Sequence, residues 1–220
     1  MTPRRNRDSA ARFLPSRRTL AALREAAAGC QGCNLHTRAT QTVFGEGPRT
    51  AVVMMIGEQP GNDEDLAGRP FVGPAGKLLD RALAEAGLNR DEIYITNIVK
   101  HFKWKPQGKR RIHDKPNASE VEACRPWFEA ELEVVRPEVL VCLGATAAQA
   151  LLGRQFRISA DRGKFAASTL APRVFATVHP SSLLRIEDDE TRLDEMRRFI
   201  EELTLVARAA REAAERRQAG

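Results

Sequence analysis

Four short apolar runs limit what this chain can fold into: AVVMMIG (51–57), EIYITNIV (92–99), EVLVCLG (138–144) and RVFATV (173–178). They are continuous rather than alternating, the pattern of strands buried on both faces. Helical patterns separate them. GKLLDRALAEAGL (76–88) is amphipathic. Asn117, with Glu120 three residues on, is a capping-box signal for a helix reaching about Val135, and Pro126 should start a new turn or kink it. ATAAQALLG follows the third run, a long helix follows the fourth, and a short helix is expected over 19–28. This alternation predicts an α/β fold with three layers, α/β/α, around a central, mostly parallel four-stranded sheet. At 220 residues the chain can bury one such core. The expected organisation is a basic flexible arm over 1–18, a single domain over 19–210 and a frayed tail over 211–220. Residues 100–116, KHFKWKPQGKRRIHDKP, read as a long basic loop.

In a parallel sheet of this kind ligands bind beyond the carboxyl ends of the strands. Here those ends carry Gly57-Glu58-Gln59, Asn97, Gly144 and His179. A carboxylate at 58 can orient a nucleophile or act as a base. His179 can donate a hydrogen bond to a developing anion. The Asn97 amide offers a donor and an acceptor to a base edge, and Phe71 can stack on a base. Other chemistries lack their motifs. The Gly76-Lys77 pair has Phe71 where a phosphate loop needs its first Gly and Leu78 where it needs Ser or Thr. No G-x-G-x-x-G follows a strand. Asp63-Glu64-Asp65 reads as a solvated turn.

The four cysteines are Cys30, Cys33, Cys124 and Cys142. They are too few and too uneven for a disulfide framework in a chain this long, and they point to a metal or cluster site. Four thiolates satisfy either tetrahedral zinc or an iron–sulfur cluster. Cys142, inside VLVCLG, also has a plain reading as a small core residue. There is no run of about 18 apolar residues and no signal-peptide core, so a cytoplasmic protein without membrane contact is expected. The net charge of +6 favours a polyanionic partner, nucleic acid first. No heptad seam is visible, and a monomer is expected.

Taken together, Cys30-x-x-Cys33, Gly57-Glu58-Gln59-Pro60-Gly61, Arg69-Pro70-Phe71-Val72-Gly73-Pro74-Ala75-Gly76, Thr96-Asn97-Ile98-Val99-Lys100 and His179-Pro180-Ser181-Ser182-Leu183 resemble the iron–sulfur uracil-DNA glycosylases over roughly residues 28–205. The resemblance implies a [4Fe-4S] cluster on Cys30, Cys33, Cys124 and Cys142. It implies uracil-containing DNA as partner and free uracil as product. The flipped base would lie among Gly57, Gln59, Phe71, Asn97 and His179. Two features depart from the ordinary thermostable members: Gln59 where their motif has Ala, and the inserted Lys109-Arg110-Arg111-Ile112-His113 loop. Both resemble the UdgX type, best known from mycobacteria and related bacteria, in which the loop His becomes joined to the deoxyribose. That likeness implies His113 as nucleophile, with Glu58, His179 and Gln59 completing the catalytic set, Gln59 by shaping the pocket or holding the loop. It implies DNA contacts from Lys109, Arg110, Arg111, Ser181, Ser182, Leu183 and Arg185. Leu183 or Leu184 would wedge into the vacated base stack, and single-stranded DNA would be preferred. The alternative is an ordinary multiple-turnover glycosylase that leaves a free abasic site.

Overall fold

A computed structural model of the chain describes residues 9–219. In chain order the elements are α1 (Leu20–Ala28), β1 (Val53–Gly57), α2 (Asn62–Ala67), α3 (Pro74–Glu85), β2 (Tyr94–Asn97), β3 (Trp104–Gln107), β4 (Arg110–His113) and α4 (Ala118–Val135). They continue with β5 (Val139–Leu143), α5 (Ala145–Leu152), α6 (Ile158–Asp161), β6 (Phe165–Ala166), β7 (Arg173–Thr177), α7 (Pro180–Leu183) and α8 (Asp189–Ala219). The sheet runs β2-β1-β5-β7-β6, with β1, β2, β5 and β7 mutually parallel.

The strand period of two sorts the apolar runs onto the two layers. Met54, Ile56, Leu140, Cys142, Val174 and Ala176 face a cluster built with α1, α4 and α5. Val53, Met55, Val141, Leu143 and Phe175 face the opposite cluster, which holds Leu79 and Leu83 of α3 with Phe199 and Leu203 of α8. Every residue of β1, β2 and β5 is buried, which explains why these runs do not alternate.

The three-layer fold is as the sequence predicts, with a fifth strand at the sheet edge. β6 is two residues long and antiparallel to β7, too short to leave a period. The basic loop is an antiparallel hairpin, Trp104 opposite His113 and Gln107 opposite Arg110. Gly108, at φ +57°, makes its turn. α4 runs unbroken through Pro126. Burial of Cys124, Trp127 and Phe128 on either side of the proline holds that segment in place.

Within the described residues, both flanking segments carry regular structure. Residues 1–8 of the expected arm lie outside the described residues. Ser9, however, caps a 3-10 turn over Ala10–Phe13, and Ala10 is buried. A Cβ on Gly32 would meet the Ala10 backbone nitrogen at 2.6 Å, so the Cys30–Cys33 loop accepts this segment only because residue 32 is glycine. At the other end α8 does not fray from residue 211. Ala213 is buried, and Arg217 bonds Glu138 and the carbonyls of Thr50 and Arg136. Among the described residues no helix is long and apolar enough to cross a membrane.

Candidate active site

The ends of β1, β2, β5 and β7 open into one cavity of about 760 Å³, lined by Glu58, Gln59, Phe71, Asn97, Gly144 and His179, with His113 at its hairpin side. Close packing at its floor depends on glycine. A Cβ on Gly57 would meet Asn97 Oδ1 at 2.4 Å and Phe71 Cζ at 2.7 Å. Phe71 itself sits at φ +55°, a conformation a bulky residue adopts only when its surroundings hold it there. Its ring is 5.7 Å from that of His179, tilted by 32°. Asn97 is buried, and its Oδ1 has no hydrogen-bond partner.

Glu58 Oε1 lies 3.2 Å from His113 Nε2. The other carboxylate oxygen, Oε2, accepts a hydrogen bond from the Thr146 hydroxyl. Burial alone would raise the Glu58 pKa. The bonds to His113 and Thr146 outweigh it, and the carboxyl titrates below its ordinary value. His179 is pushed down to about 4, chiefly by burial, so its ring is neutral at pH 7. The Ser181 backbone N–H donates to His179 Nδ1 at 3.2 Å. Nδ1 therefore holds a lone pair, and the single ring proton of neutral His179 sits on Nε2.

Gln59 lines the cavity, and of the roles expected for it the hydrogen bonds fit that of holding the loop. Its Nε2 donates to the carbonyls of Lys103 and Asp114 at 3.1 Å each, and its Oε1 accepts from Lys103 N–H at 3.1 Å. Both amide protons are used on backbone that flanks the hairpin, so Gln59 staples the base of the element carrying His113. Arg111 is likewise not free for DNA. It bonds Asp65 at 2.6 Å, Asn62 at 2.9 Å and Thr40 at 3.1 Å, and it packs over Phe102 and Trp104. Lys109 and Arg110 are exposed. Leu183 is 1% exposed, on the face of α7 turned into the core, whereas Leu184 is 46% exposed. Of the two, only Leu184 is available to contact DNA. Ser181, Ser182 and Arg185 line the cavity, but the serines bond the His179 ring and carbonyl, and Arg185 bonds Ser181 Oγ.

Of the acids of α2, Asp63 is exposed, but Glu64 and Asp65 are buried rather than solvated. Glu64 accepts from the N–H groups of Gly61 and Gly73, and Asp65, fully buried, takes Thr40 N–H and Arg111. The spacing Gly61-x-x-Glu64 is a helix-start signal that could have identified Glu64 from sequence. Thr146 carried no such signal, because nothing local distinguishes it from any other threonine in a first helical turn.

All four cysteines are free and buried, and all belong to the α1/α4/α5-side cluster. Cys30 Sγ accepts from Trp127 Nε1 and Cys124 Sγ from Lys100 N–H, both at 3.2 Å. Burial pushes the Cys124 and Cys142 thiols up to about 12 and raises Cys33 as well. Cys30 and Cys33 act on Cys124 electrostatically, while Cys142 feels burial alone. Among the described residues no three ligating groups converge as the shell of a single ion. Four buried thiols with N–H donors on two sulfurs nonetheless fit a group whose positive charge replaces the thiol protons.

Residues 44–204 match the uracil DNA glycosylase superfamily. A type-4 uracil-DNA glycosylase of Thermotoga maritima is 39% identical over 74% of this chain and 82% of its own length. The type-4 enzyme of Pyrobaculum aerophilum is 38% identical over 74% and 83%. That of Sulfurisphaera tokodaii is 34% identical over 85% and 86%. With the strand-end cavity and its paired Glu58 and His113 on the same residues, the chain belongs to the uracil DNA glycosylase superfamily.

Proposed function

We propose that this protein excises uracil from DNA and then becomes covalently joined, through His113, to C1′ of the abasic deoxyribose. The observation that carries the reading is the 3.2 Å pairing of His113 with Glu58 in a cavity that Asn97 and His179 also line. A uracil flipped from the stack rests against Phe71. The unpartnered Asn97 amide meets its polar edge. As the N1–C1′ bond breaks, both electrons go to uracil, and His179 Nε2–H stabilises the resulting anion. A neutral ring is the better donor for this task, since it places a proton without giving it up. The sugar cation left behind needs a nucleophile. One imidazole nitrogen of His113 bonds C1′, and Glu58 takes the proton from the other. A ring held in place by the hairpin competes against water with an effective molarity of about 10⁵ M or more. The product is a stable N-glycoside and one turnover per molecule.

Cys30, Cys33, Cys124 and Cys142 would hold a [4Fe-4S] cluster, which supplies a rigid inorganic tie and no open iron. The ligand loop, α4 and β5 would be joined by it. A reducing cytoplasm and a monomeric enzyme acting on single-stranded DNA are part of the same reading.

The test is a denaturing gel of the protein with a uracil-containing oligonucleotide, run beside His113→Ser. A heat- and SDS-stable shifted band that requires both uracil and His113 supports the reading. Uracil release with no shifted band in the wild type means an ordinary multiple-turnover glycosylase. The surface makes a second expectation. Lys109→Ala and Arg110→Ala should each weaken binding to any DNA and lower the salt slope of log K by about 0.7–1. Arg111→Ala should leave the slope unchanged and loosen the hairpin, read as faster amide exchange over residues 104–113.

A further inference from the structure

Glu58 is held from two sides, and only one of them belongs to the chemistry proposed above. Oε1 faces His113; Oε2 takes the Thr146 hydroxyl proton. Thr146 lies in the first turn of α5 and lines the same cavity. Gly144, at φ +92°, turns the chain from β5 into that helix. A Cβ there would strike His179 Cβ at 2.9 Å, so one turn both seats His179 and delivers the Thr146 hydroxyl.

The carboxylate torsion of a glutamate is soft and roughly two-fold. An unrestrained Glu58 would present either oxygen, at varying angles, to the hairpin. A hydroxyl has a single proton to donate. Spent on Oε2, it leaves Oε1 as the oxygen that meets His113. The titratable groups acting on Glu58 are His113 from β4 and His179 beyond β7. Glu64, Lys115 and Arg185 line the same cavity.

We propose that Thr146 is a positioning residue, whose hydroxyl fixes the Glu58 carboxylate in the orientation that receives the His113 proton. This rests on the roles given to Glu58 and His113 above. Thr146→Val keeps the shape and removes the proton; Thr146→Ser keeps the proton. Single-turnover uracil release and adduct formation are followed across pH for the iron-loaded wild type and both variants, with DNA affinity and melting temperature measured alongside. The valine variant should form adduct more slowly, by on the order of 10- to 100-fold, with unchanged DNA affinity. Its acid limb should move to higher pH, because Glu58 loses a bond that favours the carboxylate. Serine should restore both rate and limb. Wild-type rate and limb in Thr146→Val overturn the proposal. So do equal losses in valine and serine accompanied by a lower melting temperature, which mark a packing role. If the wild type releases uracil without forming adduct, the trapping reading fails, and Thr146 is judged on the acid limb of uracil release: a limb moved in valine and restored in serine supports it, an unmoved one overturns it.

Discussion

Glu131→Leu is expected to cost about 3–5 kcal/mol of stability, because it strands a charge in the core. Lys100 is fully buried. Its ammonium donates to Glu131 Oε2 at 2.6 Å, Thr96 Oγ1 at 2.6 Å and the Asn97 carbonyl at 2.7 Å. Glu131 Oε1 in turn accepts from Gly45 N–H at 3.0 Å, the Tyr94 hydroxyl at 2.9 Å and Thr96. Burial and the neighbouring carboxylate push the Tyr94 phenol upward, so it stays a donor. Leucine fills much of the volume but orphans these donors and the Lys100 charge together. In a chain of this size the melting temperature should fall by roughly 6–20 °C. Adding Lys100→Met should recover a large part of the loss, since removing both ions leaves less to desolvate. A double variant no better than Glu131→Leu would show that packing, not charge, carries the effect. The same network reaches both functional centres: Lys100 Nζ holds the Asn97 carbonyl, and Lys100 N–H meets Cys124 Sγ. Uracil release by Glu131→Leu should therefore fall even at temperatures where the protein stays folded.

Asn97→Ala should do the reverse. Its amide oxygen is buried with no partner, a state that costs about 1–3 kcal/mol in the free protein. Removing that orphan should leave stability unchanged or raise it slightly. Catalysis should suffer heavily, because donors and acceptors aimed at a base edge are worth on the order of 10²–10³ in rate each. Single-turnover uracil release beside a melting curve separates the two. A lower melting temperature with retained excision would mean that Asn97 is a scaffold residue and that the base is read elsewhere. On the proposed reading, activity and stability are expected to pull apart at this residue, because an unsatisfied group is kept ready for a ligand.

The two buried residues also mark how far local sequence carries. Asn97 is legible, since an amide at the end of an apolar run in a parallel sheet points to a ligand crevice. Glu58 and His179 reach the same cavity from strand ends, and their placement is legible for the same reason. Lys100 is not. Nothing in Ile98-Val99-Lys100 announces that the lysine turns inward, because its partner Glu131 comes from a helix 31 residues away.

The hairpin makes the same point at the level of an element. Residues 104–113 are basic and polar, with no alternation to mark strands. They pair because contacts far along the chain hold them: Arg111 on Asp65, the Gln59 amide on residues 103 and 114, and Trp104 Nε1 on the Arg38 carbonyl. A charged residue in such a stretch reads as solvated until a buried acid claims it, as Asp65 claims Arg111. Leu183 and Leu184 are chemically alike, and only the rotation of a short helix against α3 decides which is core.

Local sequence is thus enough for the four parallel strands, their two covering layers and the polar residues at the strand ends, because burial on both faces leaves a pattern within a few residues of each strand. The tertiary structure alone decided which of those side chains meet. Gln59 against the hairpin, Thr146 against Glu58 and Lys100 against Glu131 are each a match of one donor to one acceptor across distant segments, and no local period records such a match.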